Sequence, residues 1–123
     1  MFRWKKLGNI FCPENVHPWL VSHAANPVPI VLNEKVVRVF FTGRDKDNRS
    51  HISFVDIDFA DGFKVLKIHH EPIIAPGTPG TFDDSGAAMG CYLQHDNKQY
   101  LYYLGWNLKV TEASRGQGFG LSG

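Results

Sequence analysis

The chain repeats itself once. Displaced by 62 positions, Val39-Phe40-Phe41-Thr42-Gly43-Arg44-Asp45 falls on Leu101-Tyr102-Tyr103-Leu104-Gly105-Trp106-Asn107, and Pro29-Ile30-Val31-Leu32 falls on Cys91-Tyr92-Leu93-Gln94. Each copy reads as a strand, a tight turn, and an aromatic strand that ends in glycine and two residues able to make polar contacts. Self-similar β-meanders at a fixed period are the sequence mark of propeller blades, and propellers close with about 4 to 8 of them. A chain of 123 residues has room for about two. The expected fold class is therefore all-β: antiparallel four-stranded blades of a truncated β-propeller, about two of them, completed by oligomerisation.

The pattern along the chain supplies the parts. Residues 1–26 carry Pro13 and Pro18, with Pro27 just beyond, and have no clean period; a long helix is improbable there, leaving an entry segment with room for a short turn between residues 16 and 25. Strands are expected at residues 28–32, 35–42, 50–59 and 63–68, with turns at Asn33-Glu34 and Asp61-Gly62. In the third, Ser53, Val55 and Ile57 alternate with Ile52, Phe54 and Asp56. Residues 71–80, with three prolines and two glycines, form a stiff extended crossover. Strands follow at 87–94 and 99–104 around Asp96-Asn97, and a third begins near 119–121. The organisation is one domain, 1–123, made of the entry segment 1–26, a first blade 27–75 and an incomplete second blade 76–123.

Composition narrows the partners. With 43% hydrophobic and 20% charged residues the chain suits one ordinary soluble core. A net charge of +1 and a pI near 7.8 provide no broad field, so neither nucleic acid nor an anionic membrane is an expected partner. The basic start, Met1 to Leu7, lacks the apolar run of a secretory signal, and no stretch approaches the roughly 20 apolar residues of a membrane span. Cys12 and Cys91 lack the spacing of a zinc site or a disulfide framework. They are expected as buried, inert thiols in a cytoplasmic protein.

The most distinctive segment is Gly80-Thr81-Phe82-Asp83-Asp84-Ser85-Gly86, two carboxylates bracketed by glycines at the start of an apolar strand. It reads in two ways: as carboxylates facing a common cavity, or as turn chemistry, in which Asp side chains accept from the backbone and Gly supplies positive φ. Arg44 and Asp45 read either as a polar binding group or as a hairpin end carrying a local ion pair. Trp106 suits stacking on a ligand or packing, with Asn107 as its polar companion; Tyr100, Tyr102 and Tyr103 read as packing. His69-His70-Glu71 reads as a solvated strand end, since adjacent strand residues diverge and no second cluster lies at ligand spacing. Gly116-Gln117-Gly118-Phe119-Gly120 lacks the helix that makes a phosphate loop work. No metal and no cofactor are expected.

In order and spacing, His23-x-x-Asn26-Pro27, the aromatic strand ending in Gly43-Arg44-Asp45, Gly80-x-Phe82-Asp83-Asp84-x-Gly86 and Tyr102-Tyr103-x-Gly105-Trp106-Asn107 resemble the five-bladed β-propeller superfamily of glycoside hydrolases, which includes arabinanases, fructosidases and mannoside phosphorylases. The resemblance runs from His23 onward. It implies carboxylates on inner strands converging on one glycosidic bond, with an acid and a second carboxylate about 5 to 9.5 Å apart. Asp84 and Asp83 are the catalytic candidates; His23, Asn26, Arg44, Asp45, Trp106 and Asn107 are the substrate-binding candidates. Neighbouring residues of an extended strand point to opposite faces, so Asp83 and Asp84 cannot both be that pair if their segment is extended. Asn26 stands where many such enzymes carry Asp before Pro, and an amide cannot serve as a general base. The resemblance thus implies a carbohydrate-binding, self-associating protein of uncertain catalytic competence. A glycoside hydrolase or glycosyl-transfer enzyme active only as an oligomer, and a structural or interaction module without a sugar site, are its alternatives.

Overall fold

The computed structural model describes residues 2–108 and 118–122. All its regular elements are strands: β1 (Ser22–Val31), β2 (Val36–Arg44), β3 (Ser50–Asp58), β4 (Lys64–Ile68), β5 (Gly86–His95), β6 (Lys98–Trp106) and β7 (Gly118–Ser122). Strands β1 to β4 form one antiparallel meander and β5 to β7 another. A single parallel pair, Ser50 with Gly86, joins them into one mixed sheet.

Strand β3 organises the whole. It pairs with β2 residue for residue from Arg44–Ser50 to Val36–Asp58 without a bulge, and every one of its nine residues is buried. Its alternation sorts side chains into two cores. Ile52 and Phe54 join Phe40, Ala87, Met89 and Leu101 between the two meanders. Val55 and Ile57 join Phe41 and Leu20 on the other side, under Phe11, Val16 and Trp19 of the entry segment. Arg38, directly opposite Asp56, closes a fork-to-fork ion pair with it (2.8 and 3.0 Å) and lays its guanidinium 3.9 Å over the Phe54 ring. The crossover of residues 71–80 runs beside β3, where Ile52 N–H donates to the Ile74 carbonyl at 2.9 Å.

The repeat is physical as well as textual. Strand β6 is β2 displaced by 62 residues at both ends. Gly43 and Gly105, the matched glycines, serve the same purpose: a Cβ on Gly43 would collide with Leu20, and a Cβ on Gly105 with Phe82 and Asp83. Leu20 and Phe82 are themselves 62 apart, each in the segment leading into its hairpin. The turns differ. Asp96 and Asn97 both take positive φ (49° and 61°) in a two-residue loop, the conformation that suits right-twisted strands; the first hairpin uses a longer loop in which Asn33 Oδ1 accepts from the Lys35 and Val36 N–H groups.

Two expectations are corrected, and the expected short turn of the entry segment is narrowed. The first strand starts at Ser22 and not at 28, because bulges between Ser22 and Val28 let it stay paired to β2; His23 and Asn26 take positive φ there (66° and 51°). The entry turn is a tight one at His17–Leu20, closed by Leu20 N–H to the His17 carbonyl at 2.9 Å. Both cysteines are exposed, not buried: Cys12 sits in the entry segment, and the bulge at Gly90 turns Cys91 away from the core that holds Met89 and Tyr92.

Filling the space beside either matched glycine should strain the same junction in both hairpins. Gly43→Ala and Gly105→Ala are each expected to cost about 1–3 kcal/mol, read as a lower denaturant midpoint at unchanged slope.

Candidate functional site

Strand register gathers most of the nominated residues at one end of the sheet. Ser22 pairs with Arg44, Arg44 with Ser50, Ser50 with Gly86, and Gly86 with Trp106, so His23, Arg44, Asp45, Asp83, Asp84, Trp106 and Asn107 all lie along one rim. The rim is stitched across the meanders: Ser50 N–H donates to the Ser85 carbonyl (3.3 Å), Ser85 N–H to the Trp106 carbonyl (3.1 Å), and Leu108 N–H to Ser85 Oγ (3.0 Å). Gly86 is the point of closest approach. Its φ is 155°, and a Cβ there would press on Ser50 and on the Trp106 indole nitrogen. Asn26 stands apart, exposed and several residues farther along β1.

Asp45 is buried and fully engaged. Its Oδ1 accepts from the Asp47 and Arg49 N–H groups (2.9 Å each), and its Oδ2 from Arg49 Nε (3.1 Å) and His51 Nε2 (3.0 Å). Burial opposes its charge, but the His51 hydrogen bond, the two backbone donors and the Arg49 charge outweigh it and hold the carboxyl below its ordinary range. The expected local ion pair between Arg44 and Asp45 is thus replaced: Arg49 and His51 take the carboxylate, and Arg44 turns to Asn48 Oδ1 at 3.3 Å. This four-donor loop fixes the hairpin between β2 and β3. His51 packs near Trp19 (6.0 Å between ring centres), which stacks on His17 and donates its indole N–H to the His70 carbonyl.

The two adjacent carboxylates part company because their segment is a turn, not an extended strand, and the expected common cavity is not what they share. Asp83 points inward, accepting from Thr81 Oγ1 (2.9 Å) and from the Tyr103 hydroxyl (3.3 Å). Burial, then the charge of Asp83 and this hydrogen bond, raise the Tyr103 phenol above its usual value. Asp84 reaches the surface: it accepts from the Gly80 N–H (2.9 Å) and Ser85 Oγ (3.3 Å) and borders a depression shared with Pro79, Ser85 and Leu108. Of the nominated carboxylates, Asp84 alone is placed to meet a ligand at the rim without first leaving the interior.

Around this rim lie residues that the sequence pattern did not nominate for the site: Ser85, His51, Arg49, and Tyr103, which it read as packing. Arg49 and His51 follow the Gly43-Arg44-Asp45 motif, and a 2-residue period counted back from Ile52 would have aimed His51 toward the Asp45 side. Nothing in the sequence tied Tyr103 to Asp83, twenty residues away. At the far end of β4, His69 stacks on Phe54 (4.5 Å) with its Nδ1 buried and unpaired among the described residues, so His69 is packed where a solvated strand end was expected. Burial, then the neighbouring His70 and Lys67 charges, depress its pKa. Among the described residues no three His, Cys, Asp or Glu side chains group to hold a metal ion, and no helix is long and apolar enough to cross a membrane. Gly116 and Gln117 of the glycine-rich tail lie outside the described residues.

Over 108 residues, 88% of its length, the chain is 47% identical to two uncharacterized proteins of Mycobacterium tuberculosis, from strains CDC 1551 and H37Rv. It spans 36% of the length of these relatives. No protein-family model matches it, and no solved structure does.

The electrostatics give an acid signature. Because the folded-state pKa values of His69 and Asp45 are both depressed, each contributes stability that is complete above its unfolded value, about 6.5 and 3.9 respectively, and that is lost as pH falls through the lower folded value. Stability should fall in two stages on acidification, the first below about pH 6.5 and the second below about pH 4. Asp45→Asn is expected to flatten the second stage alone, read from urea midpoints across the pH range.

Proposed function

We propose that this chain is an arc of a glycosidase-like five-bladed propeller that binds carbohydrate at the Asp84–Trp106 rim and self-associates to cover its open blades. Each meander serves as a blade: residues 27–75 the first and 76–123 the second. The observation that carries the reading is the rim itself, where Arg44, Asp84, Trp106 and Asn107 come to one end of both meanders through strand register. A planar guanidinium, a carboxylate, an amide and an indole are the groups that recognise hydroxyls and stack on sugar rings. Relative length supports the five-blade count: if 108 residues are 36% of the mycobacterial relatives, those proteins run to about 300 residues, space for about five units of 62.

Binding is favoured over hydrolysis by the state of the carboxylates. Asp45 and Asp83 are buried and spent on structural donors, so among the nominated carboxylates neither is placed to act with Asp84 as the second acid that glycoside cleavage requires. An interaction module without a sugar site is the competing reading, favoured by the same internal engagement of Asp45 and Asp83.

Titration with arabino-, fructo- and manno-oligosaccharides, followed by tryptophan fluorescence, tests the binding reading. A saturable change with at least one of them is expected, lost in Trp106→Phe and weakened at least about tenfold in Asp84→Asn. A flat response to all three would leave the interaction module. Turnover of aryl glycosides that Asp84→Asn abolishes would instead establish the oligomeric hydrolase.

A further inference from the structure

Few bonds hold the crossover to β3, and a titratable ring sits over the first of them. On the side of β3 away from β2, His69 N–H donates to the Phe54 carbonyl (3.1 Å), Ser53 Oγ to the Glu71 carbonyl (3.2 Å), Ile73 N–H to the Ile52 carbonyl (2.7 Å) and Ile52 N–H to the Ile74 carbonyl (2.9 Å). Trp19 of the entry segment adds its indole N–H, donated to the His70 carbonyl at 3.0 Å. Beside the unbroken ladder between β2 and β3 this is a short seam, and elements held by few bonds open before the rest of a fold.

The His69 ring lies on Phe54 with centres 4.5 Å apart and planes 17° from parallel. Arg38 holds its guanidinium 3.9 Å from the same Phe54 centre. Two groups at these distances cannot share one face, so Phe54 is held between them. The neutral imidazole can leave Nδ1 as a bare lone pair with its hydrogen on Nε2, whereas the imidazolium carries a hydrogen on both nitrogens. Nδ1 is buried and has no partner among the described residues, so a proton there makes a charged donor with no acceptor, which is costly. Phe54 already faces one cation on its other side. Of the charged neighbours, Arg38 of β2, Lys67 of β4 and His70 oppose a charge on His69, and Glu71 favours it. Asp56 of β3 is committed to the Arg38 fork.

We propose that His69 is an acid-operated clasp: uncharged, it fastens residues 69–74 to β3, and on taking a proton it lets that segment leave β3 while the β2–β3 ladder stays formed. In the open form the charged ring regains water, and Phe54 and Ile74 of the core between the meanders are uncovered. The depressed pKa of His69 has the matching sign, since the closed form gives up a proton that the open form keeps. The moving segment lies on the path from β4 to the Asp83–Asp84 turn and β5, so the clasp sets how firmly the second meander is joined to the first. It operates whether or not the rim takes a sugar.

Native-state hydrogen exchange, corrected for the intrinsic effect of pH on amide exchange, reads the clasp directly. From about pH 7.5 to about pH 5, protection of the His69, Ile73 and Ile52 amides should fall about tenfold or more. The fall should start near the ordinary imidazole value and level off where the His69 ring itself titrates by NMR. Amides bonded between β2 and β3 should keep their protection over the same range. His69→Phe keeps a ring to lie on Phe54 and removes the proton, so protection of the Ile73 and Ile52 amides should become independent of pH. His70→Gln keeps the carbonyl that Trp19 uses and should leave the pH dependence in place. A wild-type seam indifferent to pH, or a β2–β3 ladder lost in step with the seam, would overturn the proposal without recourse to any variant. An unchanged pH dependence in His69→Phe, or its loss in His70→Gln, would overturn it as well.

Discussion

Strand β3 has no solvent side. One row of its side chains belongs to the core between the meanders and the other to the core under the entry segment, so a change of one residue in its register would exchange the two rows wholesale. The unbroken nine-residue ladder to β2 holds that register, with the Arg38–Asp56 fork fixing one rung and the Asp45 loop fixing the hairpin end. The crossover, β4 and β5 all attach to the opposite edge of β3 at different heights. The position of the rim follows from this arrangement, because Ser50, at the start of β3, makes the one strand-to-strand ladder pair between the two meanders among the described residues.

Much of this was legible in the sequence. The alternation of Ile52 and Phe54 against Val55 and Ile57 foretells two buried faces, and the matched Gly43 and Gly105 foretell two hairpins ending alike. Asp96-Asn97 announces a tight turn, since both residues tolerate positive φ. The start of β1 was hidden because Asn26-Pro27 looks like a break, whereas bulges carry the strand through it. The exposure of Cys91 was hidden for a related reason: a period of two places it correctly only if Gly90 is known to be an extra residue.

The candidate site was legible in membership but not in geometry. Sequence pattern nominated Asp83 and Asp84 together, yet the turn sends one to Tyr103 and the other to the surface. It nominated Arg44 with Asp45, yet the carboxylate serves Arg49 and His51. Contacts across one strand follow a simple period, while contacts between a turn and a distant strand depend on how the meanders lie against each other, and no local pattern encodes that. The nominated carboxylates divide accordingly: Asp45 and Asp83 hold loops in place, and Asp84 faces outward.

The pairs Leu20 with Gly43 and Phe82 with Gly105 bear on how such a chain changes over time. At Gly43 the Leu20 side chain occupies the space a methyl group would need, and at Gly105 the Phe82 ring and the Asp83 Cβ occupy it together. Neither member can be exchanged at leisure: a larger residue at the strand demands a smaller one in the lead-in segment, and the order of the two steps decides whether the intermediate survives. Positions 20 and 43, and separately 82 and 105, should therefore drift in tandem through descent, leaving a correlated trace in which one duplicated hairpin rehearses the history of the other.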